Sequence, residues 1–286
     1  MSKNLLQRIA FAGVAIPLTI LIIWQGGWVL AALLAVLGVL GTREVYALAR
    51  HEGVAALTSP GYLAAAAIPL ATYWARGSEL HWAESLIFAG ALWLMLVLGA
   101  ALSARGPDRH PLAAVSVTVF GALYASALPA FLLAIRHGAD APERSWPFAW
   151  LVLFPLALTW ICDTAAMAAG TAIGGPKLAP VVSPNKTWAG AVGGLVGALA
   201  GSFVLGPLVL TRFGWHLHAW ELGAMGAMVG LLAQVGDVAE SLFKREAGVK
   251  DSSHLIPGHG GVLDRLDSLY FVIPAAAGLF KLFGLI

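Results

Sequence analysis

The sequence predicts an all-α fold, a polytopic integral membrane helical bundle of about nine transmembrane helices forming one membrane domain over residues 1–286. Three observations predict it. Charged residues make up only 11% of the chain and apolar residues 59%, with a mean hydropathy of +0.81, whereas soluble domains run at about 25% charged and about 45–50% apolar. The apolar residues gather in runs of roughly 20, the length that crosses a hydrocarbon core roughly 30 Å thick. Gly, Pro and charged residues separate these runs, leaving room only for short loops. A water-soluble enzyme, a disordered chain and a nucleic-acid-binding protein are thereby excluded. The single cysteine, Cys162, has no partner for an intrachain disulfide, and no CxxC or Cys/His spacing suggests zinc or haem.

The first span, 5–24, follows Lys3 and Arg8, as a secretory signal would. No small-residue cleavage pattern follows Trp24, so the segment is expected to stay. The second covers 28–49. The third, 60–75, is short and carries Pro60 and Pro69. The fourth covers 83–103. The fifth, 113–135, contains Pro129, read as a tolerated kink. The sixth, 148–171, and the eighth, 220–243, carry Asp163 and Asp237. The seventh, 188–210, is crowded with glycines four apart, Gly190 and Gly194, then Gly193, Gly197 and Gly201, which predict close helix packing. The ninth is expected over 266–285. With this count, 12 of the 17 Lys and Arg residues fall on the side of the N-terminus, which the positive-inside rule makes cytoplasmic.

Polar residues are distributed unevenly. Residues 1–140 read mainly as scaffold helices, and 148–286 as helices and cytoplasmic loops carrying an active site. An ionised carboxylate in a span costs about 2.5–3.5 kcal/mol on the lenient insertion scale, so Asp163 and Asp237 need either a structural partner or a function. Asp237, Ser241 and Lys244 are spaced by four and three residues and share a helical face. Glu240 stands four before Lys244, the spacing of a simple ion pair. Beyond lie Lys244-Arg245, Lys250-Asp251, the run Pro257-Gly258-His259-Gly260-Gly261 and then Asp264-Arg265-x-Asp267. Carboxylates beside cations suit a hard divalent ion and phosphate oxygens, and glycines let backbone N–H groups approach an anion, although such a run also makes an ordinary turn. Asp264 and Asp267, three apart, are expected on one face at the start of the ninth helix, where acids also serve as helix-dipole partners. A second loop, 174–188, offers Ser183, Lys186 and Thr187 near a helix start, either as phosphate donors or as a proline-stiffened connector with a cap. There is no H-E-x-x-H array, Walker A loop or G-x-S-x-G elbow, which removes zinc hydrolysis, a P-loop ATPase and a serine hydrolase.

The run from Ser241 to Asp267, S-L-F-K-R-E-A-G-V-K-D-S-S-H-L-I-P-G-H-G-G-V-L-D-R-L-D, closely resembles the signature of the phosphatidate cytidylyltransferases, or CDP-diacylglycerol synthases. Asp163-Thr164 and S-P-N-K-T-W from Ser183 to Trp188 resemble two further motifs of that family. Ala189 replaces a usual glutamate, and Met167 and Ile173 stand where aromatics are common. The resemblance implies the reaction of CTP with phosphatidate to give CDP-diacylglycerol and pyrophosphate. It implies Mg²⁺, often with a second cation such as K⁺, and a homodimer in the inner membrane with a polar cavity open to the cytoplasm. It matches Asp237 and Asp264 to metal-binding aspartates and Ser241 and Lys244 to an active-site pair.

Combining resemblance and residue chemistry, Asp237, Ser241, Lys244 and Asp264 are the expected catalytic residues. Asp163 and Asp267 are expected as outer supports or ligands of a second cation. Ser183, Lys186, Thr187, Arg245, Lys250, Asp251, Gly258, His259, Gly260, Gly261 and Arg265 are the expected substrate contacts. The lipid chains are expected to stay among membrane lipids and to reach the cavity through a lateral opening. Two other readings remain: a membrane CDP-alcohol phosphotransferase, whose D-G-x-x-A-R run is absent here, and a secondary transporter, which also uses intramembrane acids but for which no inverted repeat is evident.

Overall fold

The computed structural model describes residues 3–76, 82–138, 141–256, 258 and 260–286. Among these residues the chain is almost entirely helical. Its α-helices are α1 (Lys3–Gln25), α2 (Gly27–His51), α3 (Thr58–Ala75), α4 (Trp82–Ala104), α5 (Pro111–Ala122), α6 (Leu128–Arg136), α7 (Trp146–Ile173), α8 (Trp188–Leu205), α9 (Ala219–Glu246), α10 (Leu263–Leu266) and α11 (Leu269–Leu282). A π-turn, Leu123–Ala127, joins α5 to α6 into one rod, Pro111–Arg136, and a second π-turn, Gly206–Leu210, extends α8. Among the described residues, six helices are long and apolar enough to cross a membrane. Each region expected to span forms helix, including 60–75, where α3 runs through Pro69.

Two expectations change. The helix expected over 266–285 is interrupted: α10 ends at Leu266, Asp267 and Ser268 form a turn, and α11 begins at Leu269. Asp264 and Asp267 therefore do not sit on one continuous helix, and the spacing argument for a shared face does not apply to them. The second difference is in the loop after α7, where Lys177–Ala179 (β1) and Ser183–Thr187 (β2) pair as a small antiparallel hairpin. Its strands are too short and polar to announce themselves by alternation.

The chain forms two compact units. The first comprises residues 1–26, 131–245 and 266–286. Its main packing is α7 against α8. A Cβ on Gly197 would lie 2.5 Å from the Ala165 Cβ, and one on Gly193 would overlap Ala169, so these glycines set how closely the helices approach, as their spacing predicts. Arg136 is fully buried and donates to the carbonyls of Ile23 (2.6 Å), Trp24 (2.7 Å) and Pro142 (3.2 Å). It thus caps the C-terminal end of α1, where orphan carbonyls attract a cation.

The second unit comprises residues 27–130 and 246–265. Tyr46 donates to the Thr118 carbonyl (2.9 Å), while the Thr118 hydroxyl accepts from the Leu57 N–H (2.8 Å). The π-turn precedes Pro129, whose ring removes an N–H and would crowd the carbonyl four residues earlier in a regular helix. It also presents Ser126, which donates to the Ala65 carbonyl at 2.6 Å.

Candidate active site

In the first unit, α7, β2, α8 and α9 surround a cavity of about 330 Å³, the lower end of the size range of small-molecule clefts. Asp163, Asn185, Lys186, Thr187, Gln234 and Asp237 supply its polar lining. Asp163 is exposed to the cavity and, among the described residues, has no ion-pair partner within 4 Å. An acid in the middle of an apolar helix therefore faces a cavity instead of forming a direct ion pair with a neighbouring helix. Lys186 reaches from β2 to Asp237 on α9, with Nζ 2.6 Å from Oδ2, and both side chains remain partly exposed. Asp163, Asp237 and Asp267 are close enough to interact through their charges, and Lys186 acts on both Asp163 and Asp267.

Local sequence explains these placements. Helix α9 runs unbroken through Glu246, so Asp237, Ser241 and Lys244 do share a face. Gly236 permits the turn before α11 to approach, since a Cβ there would lie 2.6 Å from the Asp267 carbonyl oxygen. Thr187 caps α8 by accepting from the Gly190 N–H at 3.1 Å, so the capping reading applies to this residue while it still lines the cavity. Ser241 and Lys244 are buried and lie outside the cavity lining. The Lys244 Nζ is 3.0 Å from Glu240 Oε1, the ion pair that the spacing of four suggests. Arg245 is exposed and donates to the Val182 carbonyl in the hairpin turn at 3.2 Å. Ser183 is half-buried in β2.

An apolar groove of about 550 Å³ adjoins this cavity, sharing Leu178, Ala191 and Gln234 with its lining. Trp188, Val192, Leu195, Leu231, Val235 and Val238 line the rest. A charged compartment and a hydrocarbon-like one thus share part of their walls.

In the second unit, the segment after α9 folds back as a tight turn closed by the Ile256 N–H to Gly260 carbonyl bond, 2.8 Å, with Gly258 and Gly260 in left-handed conformations. His259 lies outside the described residues. Lys250, Asp251 and Arg265 are exposed. Asp264 Oδ2 accepts from the Ser252 N–H (2.8 Å), the Ser252 hydroxyl (2.7 Å) and the Gly261 N–H (2.8 Å). All three converge on one oxygen and hold it in place. Beside it lies Glu44 of α2, a buried acid that the scaffold reading of residues 1–140 passes over. Its only sequence signal is an acid inside an apolar run.

Among the described residues, no group of three or more His, Cys, Asp and Glu side chains is arranged to hold a metal ion. The donor chemistry nevertheless fits Mg²⁺, which takes oxygen ligands and is commonly held by one or two carboxylates with water and substrate phosphates completing the shell. The carboxylates at the cavity and the oriented Asp264 are donors of that kind.

The sequence matches the Cytidylyltransferase family over residues 6–283. It is 48% identical over 135 residues to the phosphatidate cytidylyltransferase of Brucella suis, a match covering 47% of each chain. It is 34% identical over 304 residues to phosphatidate cytidylyltransferase 5, chloroplastic, of Arabidopsis thaliana, covering 97% of this chain and 72% of the plant protein. With the phosphatidate cytidylyltransferase of Synechocystis it shares 30% identity over 293 residues and 94% of each chain. The chain belongs to the cytidylyltransferase family.

Proposed function

We propose that the protein is a phosphatidate cytidylyltransferase, converting CTP and phosphatidate to CDP-diacylglycerol and pyrophosphate. The observation that carries this reading is the charged cavity with Asp163, Asp237 and Lys186 sharing lining residues with an apolar groove. A nucleotide and a lipid phosphate need the first compartment, and acyl chains that stay among membrane lipids need the second. Likeness to enzymes of this name over nearly the whole chain supports the same reading.

The reaction asks for charge management more than for proton transfer. The lipid phosphate is already anionic at neutral pH, so one of its oxygens can attack the α-phosphorus of CTP without a strong general base. A phosphorus–oxygen bond forms, the bond from the α-phosphorus to the bridging oxygen breaks, and its electron pair leaves with pyrophosphate. Two polyanions must be held in line while this happens. In this reading Lys186 bonds to phosphate oxygens, with Arg245, Lys250 and Arg265 as further cations and Ser183, Ser241, Thr187 and the Gly258–Gly261 backbone as hydrogen-bond donors. Lys244 holds Glu240 and shapes the polar end of α9. Asp237 and Asp264 would hold Mg²⁺, with Asp163 and Asp267 supporting it or holding a second cation such as K⁺. Bound there, Mg²⁺ supplies neutralisation of the phosphate charge. By its resemblance the enzyme belongs in the inner membrane as a homodimer; the excess of Lys and Arg on the side of the N-terminus supports a polar cavity facing the cytoplasm.

The test is purified protein in detergent with phosphatidate, labelled CTP and Mg²⁺. Formation of labelled CDP-lipid and stoichiometric pyrophosphate is expected. No product under lipid-replete conditions, with solute uptake by proteoliposomes instead, would overturn the proposal in favour of a transporter.

A further inference from the structure

Glu44 is 4% exposed on the apolar helix α2. An acid so placed is tolerable only if its oxygens are engaged, and here each oxygen has two donor groups within hydrogen-bond distance. Oε1 accepts from the Ser253 hydroxyl (2.6 Å) and the Val262 N–H (3.0 Å), and Oε2 from the Ser252 hydroxyl (3.0 Å) and the Leu263 N–H (2.8 Å). The four donors come from the two ends of one loop, Ser252-Ser253 and Val262-Leu263. A single side chain therefore ties that loop closed at its base.

The tie ends on Asp264. Ser252 lies between the two acids, its single hydroxyl hydrogen shared between Glu44 Oε2 at 3.0 Å and Asp264 Oδ2 at 2.7 Å, and its N–H also goes to Asp264. Gly261 has its N–H on Asp264, and a Cβ there would lie 2.5 Å from both Glu44 oxygens. Gly260 has φ +84°, and a Cβ there would lie 2.6 Å from Asp264 Oδ2. The glycine pair is thus required by the space the two carboxylates occupy, in addition to any contact with phosphate.

We propose that Glu44 is a positioning residue for divalent-cation binding: it holds the loop ends so that Ser252 and Gly261 orient the Asp264 carboxylate. This rests on the reading of Asp264 as a metal ligand. Hydrogen-bond partners that orient a ligating carboxylate are worth about 10–100-fold in metal affinity or activity. In Glu44→Gln an NH₂ group replaces one oxygen and faces two donors, so the loop base opens on that side. In Glu44→Asp both acceptors survive on a shorter stem.

The experiment is a Mn²⁺ titration of the full-length protein in detergent, without CTP or lipid, followed by electron paramagnetic resonance. Amide exchange at Val262 and Leu263 in the metal-free protein is read in parallel. Glu44→Gln should weaken Mn²⁺ binding by about 10–100-fold and speed exchange at whichever of the two amides meets the NH₂ group, with Glu44→Asp recovering part of each. Ser252→Ala, which leaves α2 intact, should also weaken Mn²⁺ binding and carries the test if Glu44→Gln does not fold. Parent-like Mn²⁺ affinity in Glu44→Gln, or in Ser252→Ala where that variant carries the test, overturns the positioning role, provided Asp264→Asn has lost binding. Parent-like affinity in Asp264→Asn overturns the ligand reading itself, and the role of Glu44 with it.

Discussion

Replacing Lys186 by Met separates what this cation does for the fold from what it does for the reaction. At 2.6 Å from Asp237 Oδ2, Coulomb's law gives a gross attraction of about 2–6 kcal/mol for effective dielectrics of about 80 down to 20. The side chains are 25% and 34% exposed, so water already solvates both, and ordering two side chains offsets most of the remainder. A net stability loss of about 1 kcal/mol follows, shifting the melting temperature by about 2–4 °C. The loss in turnover should be far larger. A preorganised cation aimed at developing phosphate charge resembles an oxyanion donor, whose removal costs about 10²–10³ in rate. Steady-state kinetics on protein shown by thermal melting to be folded should therefore give a kcat/KM lower by that factor, with Lys186→Arg recovering part of it. A fall of less than tenfold in Lys186→Met would refute the argument, because the Lys186–Asp237 pair would then be structural only.

Asp264→Asn should abolish turnover while the protein still melts cooperatively; near-normal activity rejects Asp264 as a ligand. Gly236→Val drives a branched side chain into the Asp267 carbonyl and should destabilise by about 1–3 kcal/mol, checked by melting in detergent, with a fall in activity as Asp267 is displaced from the cavity acids. Arg136→Met removes three bonds from a fully buried guanidinium to α1 and the 142 carbonyl. It should lower stability by about 3 kcal/mol or more without changing kcat in the surviving folded fraction.

Sequence spacing made legible whatever depends on neighbours one or two turns apart. The apolar runs located the helices, the four-residue glycine spacing located the α7–α8 contact, and the 240–244 interval identified the ion pair between Glu240 and Lys244. It also selected two of the acids, Asp163 and Asp237, that line the cavity. Breaks in regularity were harder to see. Nothing in the run from Asp264 to Tyr270 forbids a continuous helix, and the turn at Asp267-Ser268 follows from tertiary packing around Gly236 and a Ser268 N–H bonded to Asp267 Oδ1 at 2.6 Å.

Glu44 shows the physical limit of such a reading. Its partners stand 208, 209, 218 and 219 residues away in the chain, so no periodicity or local motif can connect them. An acid near the end of an apolar helix reads as an interfacial residue for which water supplies the hydrogen bonds. In the folded protein backbone and hydroxyl donors replace that water, and each must be in place for the charge to remain buried. The same requirement makes the arrangement specific: a loop that must bring two amides and two hydroxyls to one carboxylate has few other conformations open to it. The precision demanded by the buried charge on α2 is therefore imposed on Asp264, the next residue along from that anchored loop end.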